Sequence, residues 1–348
     1  MSDPAFPPYF LKPEAYGALG AGPVHSLRGV WRDGERQRQL AWHLYLPPGR
    51  GRVPLVIFSH GLGGSRETGA AWLSHWSAHG LACLALQHPG SDRDQLAGVA
   101  PLDLPRVMAQ AMTGEQMLSR VADVQFVVSR LARGGAAEEC DRVEVVEAGI
   151  APAGSAEQPP SGDIDPAAAA LPEPFPYERL DLDRLGFAGH SFGALTAQAL
   201  AGERLDWGKP DVTTAKPFRA FLALSPSARG APAGRAAGFA AICRPFFSIT
   251  GSRDKGIGRG DVGPENRRLP YAHMPPGHKY LLVLAGATHR HFAGEAEDRR
   301  RTPAFTRAVQ AASLAFWRCY LMGEEAARRW LQSGFPATLG EGDAWAWK

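Results

Sequence analysis

Leu185-Gly186-Phe187-Ala188-Gly189-His190-Ser191-Phe192-Gly193-Ala194 is the stretch on which the reading of the fold turns. Its first four residues are a short apolar run that suits a buried strand. From Ala194 to about Ala201 the composition becomes Ala-rich and helical. Between them lies a turn with glycine at both ends and serine in the middle. A serine on so tight a strand-to-helix turn needs small neighbours, because side chains at the flanking positions would clash. Ser191 is therefore the candidate nucleophile.

Working outward, the same alternation repeats. Leu40 to Leu46, Pro54 to Ser59 and Leu81 to Leu86 read as strands before the serine, and Ala220 to Leu224, Pro245 to Thr250 and Tyr280 to Leu284 after it. Pro54 to Ser59 is almost continuously apolar, as a parallel strand covered on both faces should be. Helices are predicted over Arg66 to His79, Glu115 to Leu131, Ala304 to Met322 and Glu324 to Leu331. In the second of these, Met117, Val121, Val124, Val128 and Leu131 recur at helical spacing. Such alternation predicts an α/β fold, a mostly parallel central sheet with helices on both faces. The segment 134–176 is rich in Pro, Ala and Gly and interrupts the rhythm. Because the pattern resumes afterwards, the expectation is a single domain over 1–348 with an insertion serving as a lid or flexible loop.

Three further turns carry polar residues suited to the same chemistry. Ser59-His60-Gly61-Leu62-Gly63-Gly64 follows an apolar strand. Acyl transfer builds negative charge on a carbonyl oxygen, which needs backbone N–H groups already aimed at it. Leu62 and Phe192, the residue after the nucleophile, are the expected oxyanion donors. His60 is read as packing beneath the loop. Ile249-Thr250-Gly251-Ser252-Arg253-Asp254 ends a strand in a carboxylate, and Asp254 is the expected acid that orients a histidine. Asp261 is its nearest rival. Gly286-Ala287-Thr288-His289-Arg290-His291 follows the last predicted strand, with His289 the expected general base and His291 its competitor. No Cys/His/carboxylate cluster completes a metal site around the two histidines, so no metal is expected there.

Composition narrows the classes. Of 348 residues, 45% are hydrophobic and 21% charged, which is ordinary for a globular chain. A formal charge of +3, with Arg299-Arg300-Arg301 its densest run and read as a solvated face, gives no basic stripe and no expectation of nucleic acid. Cys83, Cys140, Cys243 and Cys319 are widely spaced without a CxxC pair, and Cys83 and Cys243 read as core thiols. MSDPAFPPYF has no basic stretch leading into an apolar one, and no run approaches a transmembrane length. The expectation is a cytoplasmic protein, or a secreted one if a signal peptide once preceded it. The expected partner is a small-molecule ester, and the oligomeric state is left open.

Taken together, Phe58-Ser59-His60-Gly61-Leu62-Gly63, the GHSFGA elbow, the TGSRD and GATH turns, Gln87-His88-Pro89-Gly90-Ser91 and Pro270-Tyr271 resemble platelet-activating factor acetylhydrolase and bacterial dienelactone-hydrolase-like esterases. The similarity runs over roughly residues 40 to 332. It implies an α/β-hydrolase fold, a Ser-His-Asp triad of Ser191, His289 and Asp254, oxyanion donors Leu62 and Phe192, and no cofactor. Two departures limit it. Dienelactone hydrolases use a cysteine nucleophile, and the acetylhydrolase carries its acid one strand earlier, where this chain has Ser225. The phospholipid substrate is therefore not carried over. The expected activity is carboxylic-ester hydrolysis through an acyl-enzyme. Amide, thioester or lactone hydrolysis on the same site, or a hydrolase fold kept only for binding, are the alternatives.

Overall fold

The computed structural model describes residues 24–100, 102–103, 106–108, 111–134, 143–147, 175–204, 212–228, 237–256, 263–295 and 303–348. Asp261, Cys140 and Arg299 to Arg301 lie outside these, as does most of the 134–176 insertion.

Ten strands among the described residues form one sheet. They are β1 (His25–Asp33), β2 (Arg38–Leu46), β3 (Val53–Ser59), β4 (Ala82–Leu86), β5 (Val143–Glu147), β6 (Leu180–His190), β7 (Ala220–Leu224), β8 (Phe246–Arg253), β9 (Lys279–Thr288) and β10 (Ala344–Trp347). Their order is β10-β9-β8-β7-β6-β3-β4-β2-β1-β5. The six strands from β4 to β9 in that order run parallel. The pairings of β1, β2, β5 and β10 are antiparallel. Val143–Glu147 of the insertion pairs with β1 at the sheet edge remote from β6, β8 and β9.

Helices cover both faces, and strand alternation divides the core accordingly. On β3, Leu55 and Ile57 join the core beneath α2 (Gly114–Ala132) and α3 (Phe192–Leu200), whereas Val56 and Phe58 join the core beneath α1 (Ala70–Ala78), α5 (Pro303–Met322) and α6 (Glu325–Arg329). A short helix, α4 (Leu269–His273), precedes β9. This two-sided burial is why the β3 run is apolar at successive positions rather than at alternate ones.

Two expectations are corrected. The first helix begins at Ala70, not Arg66, because Gly69 at φ 88 takes a left-handed conformation against the Phe58 ring. Cys243 is exposed rather than in the core: β8 starts at Phe246, leaving this thiol in the preceding turn. Cys83 is buried as expected, and Cys83, Cys243 and Cys319 are all free thiols. Among the described residues no helix is long and apolar enough to cross a membrane.

Candidate active site

Parallel strands in an open α/β sheet present their carboxyl ends to one edge, where ligands bind. Here that edge gathers the loop after β3, the elbow after β6, Ser225 after β7, Asp254 after β8 and His289 after β9.

The elbow is as tight as its sequence requires. Ser191 has φ 55 and ψ −109, a conformation that non-glycine residues seldom hold without support. A Cβ on Gly189 would stand 2.2 Å from the Gly193 carbonyl oxygen, and one on Gly193 would stand 1.9 Å from that of Ser59. A Cβ on Gly61 would press on His190 and Ser191. The three glycines let the elbow and the β3 loop approach backbone to backbone.

Ser191, His289 and Asp254 come together at hydrogen-bond distance. His289 Nε2 lies 2.9 Å from Ser191 Oγ, and its Nδ1 lies 2.8 Å from Asp254 Oδ1. The carboxylate requires a proton on Nδ1, which leaves Nε2 free to accept one from the serine. Thr250, from the same turn, donates to Asp254 Oδ2 at 2.8 Å. Asp254 is fully buried. Burial alone would raise its carboxyl group's pKa, but the hydrogen bond from His289 and the charge of Arg267 outweigh this and hold it below the ordinary carboxylate range. His291, the competing base, is engaged elsewhere: its Nδ1 accepts the Thr288 N–H at 3.0 Å and lies 2.9 Å from Thr288 Oγ1. The candidate oxyanion donors lie on the two segments beside Ser191. Phe192 is the first residue of α3, so its N–H is among the four without an intrahelical acceptor. Leu62 lines the same cleft as Ser191.

Three residues that sequence reasoning did not single out support this arrangement. Arg267 Nε lies 3.3 Å from Asp254 Oδ1, and its Nη1 donates to the Ser225 and Pro226 carbonyls at 3.0 and 3.3 Å. Its Nη2 is 3.3 Å from His289 Nδ1, a contact between two donors once Asp254 holds the proton on that nitrogen. His190 Nε2 donates to the His289 carbonyl at 3.2 Å, holding the backbone of the candidate base. Burial brings the His190 pKa down to about 3, so the ring is neutral. Arg120 lies beneath the β3 loop. The only sequence signal for Arg120 is a cation on the apolar face of α2, and nothing local marks Arg267.

A second Ser-His-Asp chain also exists. His88 Nε2 lies 2.9 Å from Ser59 Oγ, and His88 Nδ1 lies 3.0 Å from Asp123 Oδ2. Ser59 and His88 are fully buried, as is Asp123, which also takes Arg36 and Arg38. No ester can reach this serine. Access therefore separates the two constellations more sharply than hydrogen-bond geometry does.

The cleft at Ser191 measures about 160 Å³ and is lined by the β3 loop, Met108, Met112, His190, Arg267, His289 and Arg290, among others. A larger, shallower depression of about 530 Å³ lies between Gln332 and Trp347 and carries none of these groups. Among the described residues no cluster of three or more His, Cys, Asp or Glu side chains is placed to hold a metal.

Residues 32–102 match the family model of platelet-activating factor acetylhydrolase, isoform II. Over that segment the chain is acetylhydrolase-like. The matched part holds the β3 loop and Gln87 to Ser91 and ends before Ser191. A comparison with curated proteins gives no match. Beyond the matched segment, Ser225 follows β7 and Asp254 follows β8.

Proposed function

We propose that the protein is a carboxylic-ester hydrolase of the α/β-hydrolase fold, a single domain bearing an insertion, and a relative of the dienelactone-hydrolase-like esterases. Ser191 attacks the ester carbonyl while His289 Nε2 takes its proton. His289 then protonates the leaving alcohol, and water, activated by the same base, releases the acid from the acyl-enzyme. Asp254 holds the imidazole in the required tautomer, and the N–H groups of Leu62 and Phe192 receive the oxyanion. The observation that carries this reading is the Ser191–His289–Asp254 hydrogen-bond chain with its serine strained at the lip of a cleft.

A cleft of about 160 Å³ walled by Met108 and Met112 favours a short acyl group. Turnover of p-nitrophenyl esters should therefore be greatest at acetate to butyrate and fall by octanoate. A fluorophosphonate probe should label Ser191 and leave Ser59 unlabelled. Ser191→Ala should abolish both labelling and turnover, a loss on the order of a millionfold in serine hydrolases. Turnover surviving in a folded Ser191→Ala protein would refute the assignment.

A further inference from the structure

Beneath the β3 loop, Arg120 of α2 is fully buried. Its Nη1 donates to the His60 carbonyl at 2.6 Å and to Ser59 Oγ at 3.3 Å. Its Nε donates to Ser91 Oγ at 2.9 Å, and its Nη2 to the Ser91 carbonyl at 3.4 Å. On its other side the guanidinium carbon stands 4.3 Å from the centroid of the Phe192 ring, a cation–π contact. One side chain thus grips both segments that carry the candidate oxyanion donors.

The grip on His60 passes to Leu62 by a definite route. His60 Nε2 accepts the His88 N–H at 3.0 Å, so the ring proton sits on Nδ1, which donates to the Gly61 carbonyl at 2.6 Å. The Gly64 N–H reaches the same carbonyl at 3.1 Å. A trans peptide directs its carbonyl and its N–H to opposite sides. Holding the Gly61 carbonyl on the loop's inner side therefore turns the Leu62 N–H outward, to the side on which the cleft lies. The acceptors of Arg120 are hydroxyls and carbonyls; its Nη2 also stands 3.5 Å from His60 Nδ1, and the charges of Asp123 and Asp92 act on it from beyond ion-pair distance, so a positive charge of the sign that favours an oxyanion stands behind both donors.

We propose that Arg120 is a positioning residue for the oxyanion hole, aligning the Leu62 and Phe192 N–H groups through His60 and the Phe192 ring. The inference rests on the ester-hydrolase reading above. A residue that only staples the core would change stability. A residue that aligns oxyanion donors changes kcat more than KM, and weakens binding of a transition-state analogue in step with kcat/KM.

The test compares Arg120→Lys and Arg120→Met with Arg130→Met. Arg130 is on the same helix but packs on Trp31, at 5.5 Å from the ring centroid. With p-nitrophenyl acetate, Arg120→Lys should lose about tenfold to a hundredfold in kcat with KM nearly unchanged, less than the 10²–10³ expected for deleting a donor outright. Arg120→Met should lose more. Affinity for a trifluoromethyl ketone, whose hemiketal mimics the oxyanion, should fall by the factor lost in kcat/KM. Arg130→Met should lower the melting temperature and leave kcat alone. Wild-type kcat and ketone affinity in folded Arg120→Lys would overturn the proposal, as would an equal kcat loss in Arg130→Met. If neither Arg120 variant folds, Ser91→Ala carries the test: it removes the Nε acceptor and a 3.4 Å bond from Ser91 Oγ to the His88 carbonyl, and leaves the other acceptors of Arg120 in place. A smaller kcat loss at constant KM supports the proposal, and unchanged kcat overturns it. Fluorophosphonate labelling of wild type separates the two levels. Failure to label Ser191 refutes the hydrolase reading itself, whereas labelling with an unaffected Arg120→Lys refutes only the positioning role.

Discussion

His289 and His291 stand two residues apart, and hydrogen bonding divides their tasks. His289 reaches Ser191 and Asp254, while His291 closes a capping box with Thr288. His289→Ala should therefore remove nearly all ester turnover. His291→Ala should retain most of it while losing about 1 kcal/mol of stability, a typical cost for a lost cap. Steady-state rates beside urea melts of both variants check this, and near-total loss of activity confined to the His291 variant would exchange the roles. Asp254→Asn should keep the fold and lower kcat strongly, because an amide favours the wrong imidazole tautomer. In the best-described serine protease triad the same change costs about ten-thousandfold. Asp261→Asn is the paired control, and a kcat loss in that variant alone would move the acid to Asp261. The sequence separated these pairs only by position along the chain. Distances to Ser191 distinguish the two histidines at once.

At the scale of elements, the elbow is the part most legible in the sequence. An apolar strand, small residues at both flanks and an Ala-rich helix leave few other ways to arrange the turn. Gly193→Ala places a Cβ against the Ser59 carbonyl oxygen, and backbone cannot yield as a side chain tip can. This variant should lose about 3 kcal/mol, the upper range for overpacking, together with its activity. Gly34→Ala, whose Cβ meets nothing within 4 Å, should change stability by less than about 0.5 kcal/mol. Chemical denaturation of both proteins checks the contrast, and equal stabilities would show that the elbow tolerates a side chain. Helix α2 was legible in its apolar stripe. Arg120 and Asp123 are buried within that stripe, and charged residues at core-facing positions were the overlooked signal of the network under the β3 loop. The antiparallel strand β1 and the edge strands β5 and β10 carry no such signal. β5 and β10 are short, and β1 interleaves Ser26, Arg28, Arg32 and Asp33 with its apolar residues, so none shows the continuous apolar run that betrays a central parallel strand.

Across the whole molecule, buried neutral histidines couple stability to acidity. Burial lowers the pKa of His75 and His190 to about 3, and that of His88 to about 4 against the opposing hydrogen bond of Asp123. In the unfolded chain each returns to the ordinary histidine value near 6.5. Between those limits the unfolded state binds more protons, so stability rises with pH and is lost as pH falls from about 6.5 toward 4. Each such histidine contributes a slope of up to about 1.4 kcal/mol per pH unit. Asp254 acts with the same sign at lower pH, its stabilisation present above the unfolded carboxylate value and lost as pH falls through its depressed one. Melting temperatures measured from pH 7 to pH 4 should drop steeply, and His75→Gln should flatten the curve. A melting temperature independent of pH over that range would mean that these rings are not held neutral.

The sequence by itself determined the alternation of buried strands and helices and the serine elbow. It also set the order in which the candidate serine, acid and base follow one another, because apolar period, glycine placement and chain order are local properties. Tertiary structure alone decided which histidine faces Ser191. It put Asp254, rather than a residue at the Ser225 position, against that histidine, and it sealed one Ser-His-Asp chain while opening another to a cleft. Those outcomes depend on which strand ends lie side by side and on what covers them. Contacts such as Arg267 to Asp254 or Arg120 to Phe192 join residues far apart in the chain, and no local pattern encodes them.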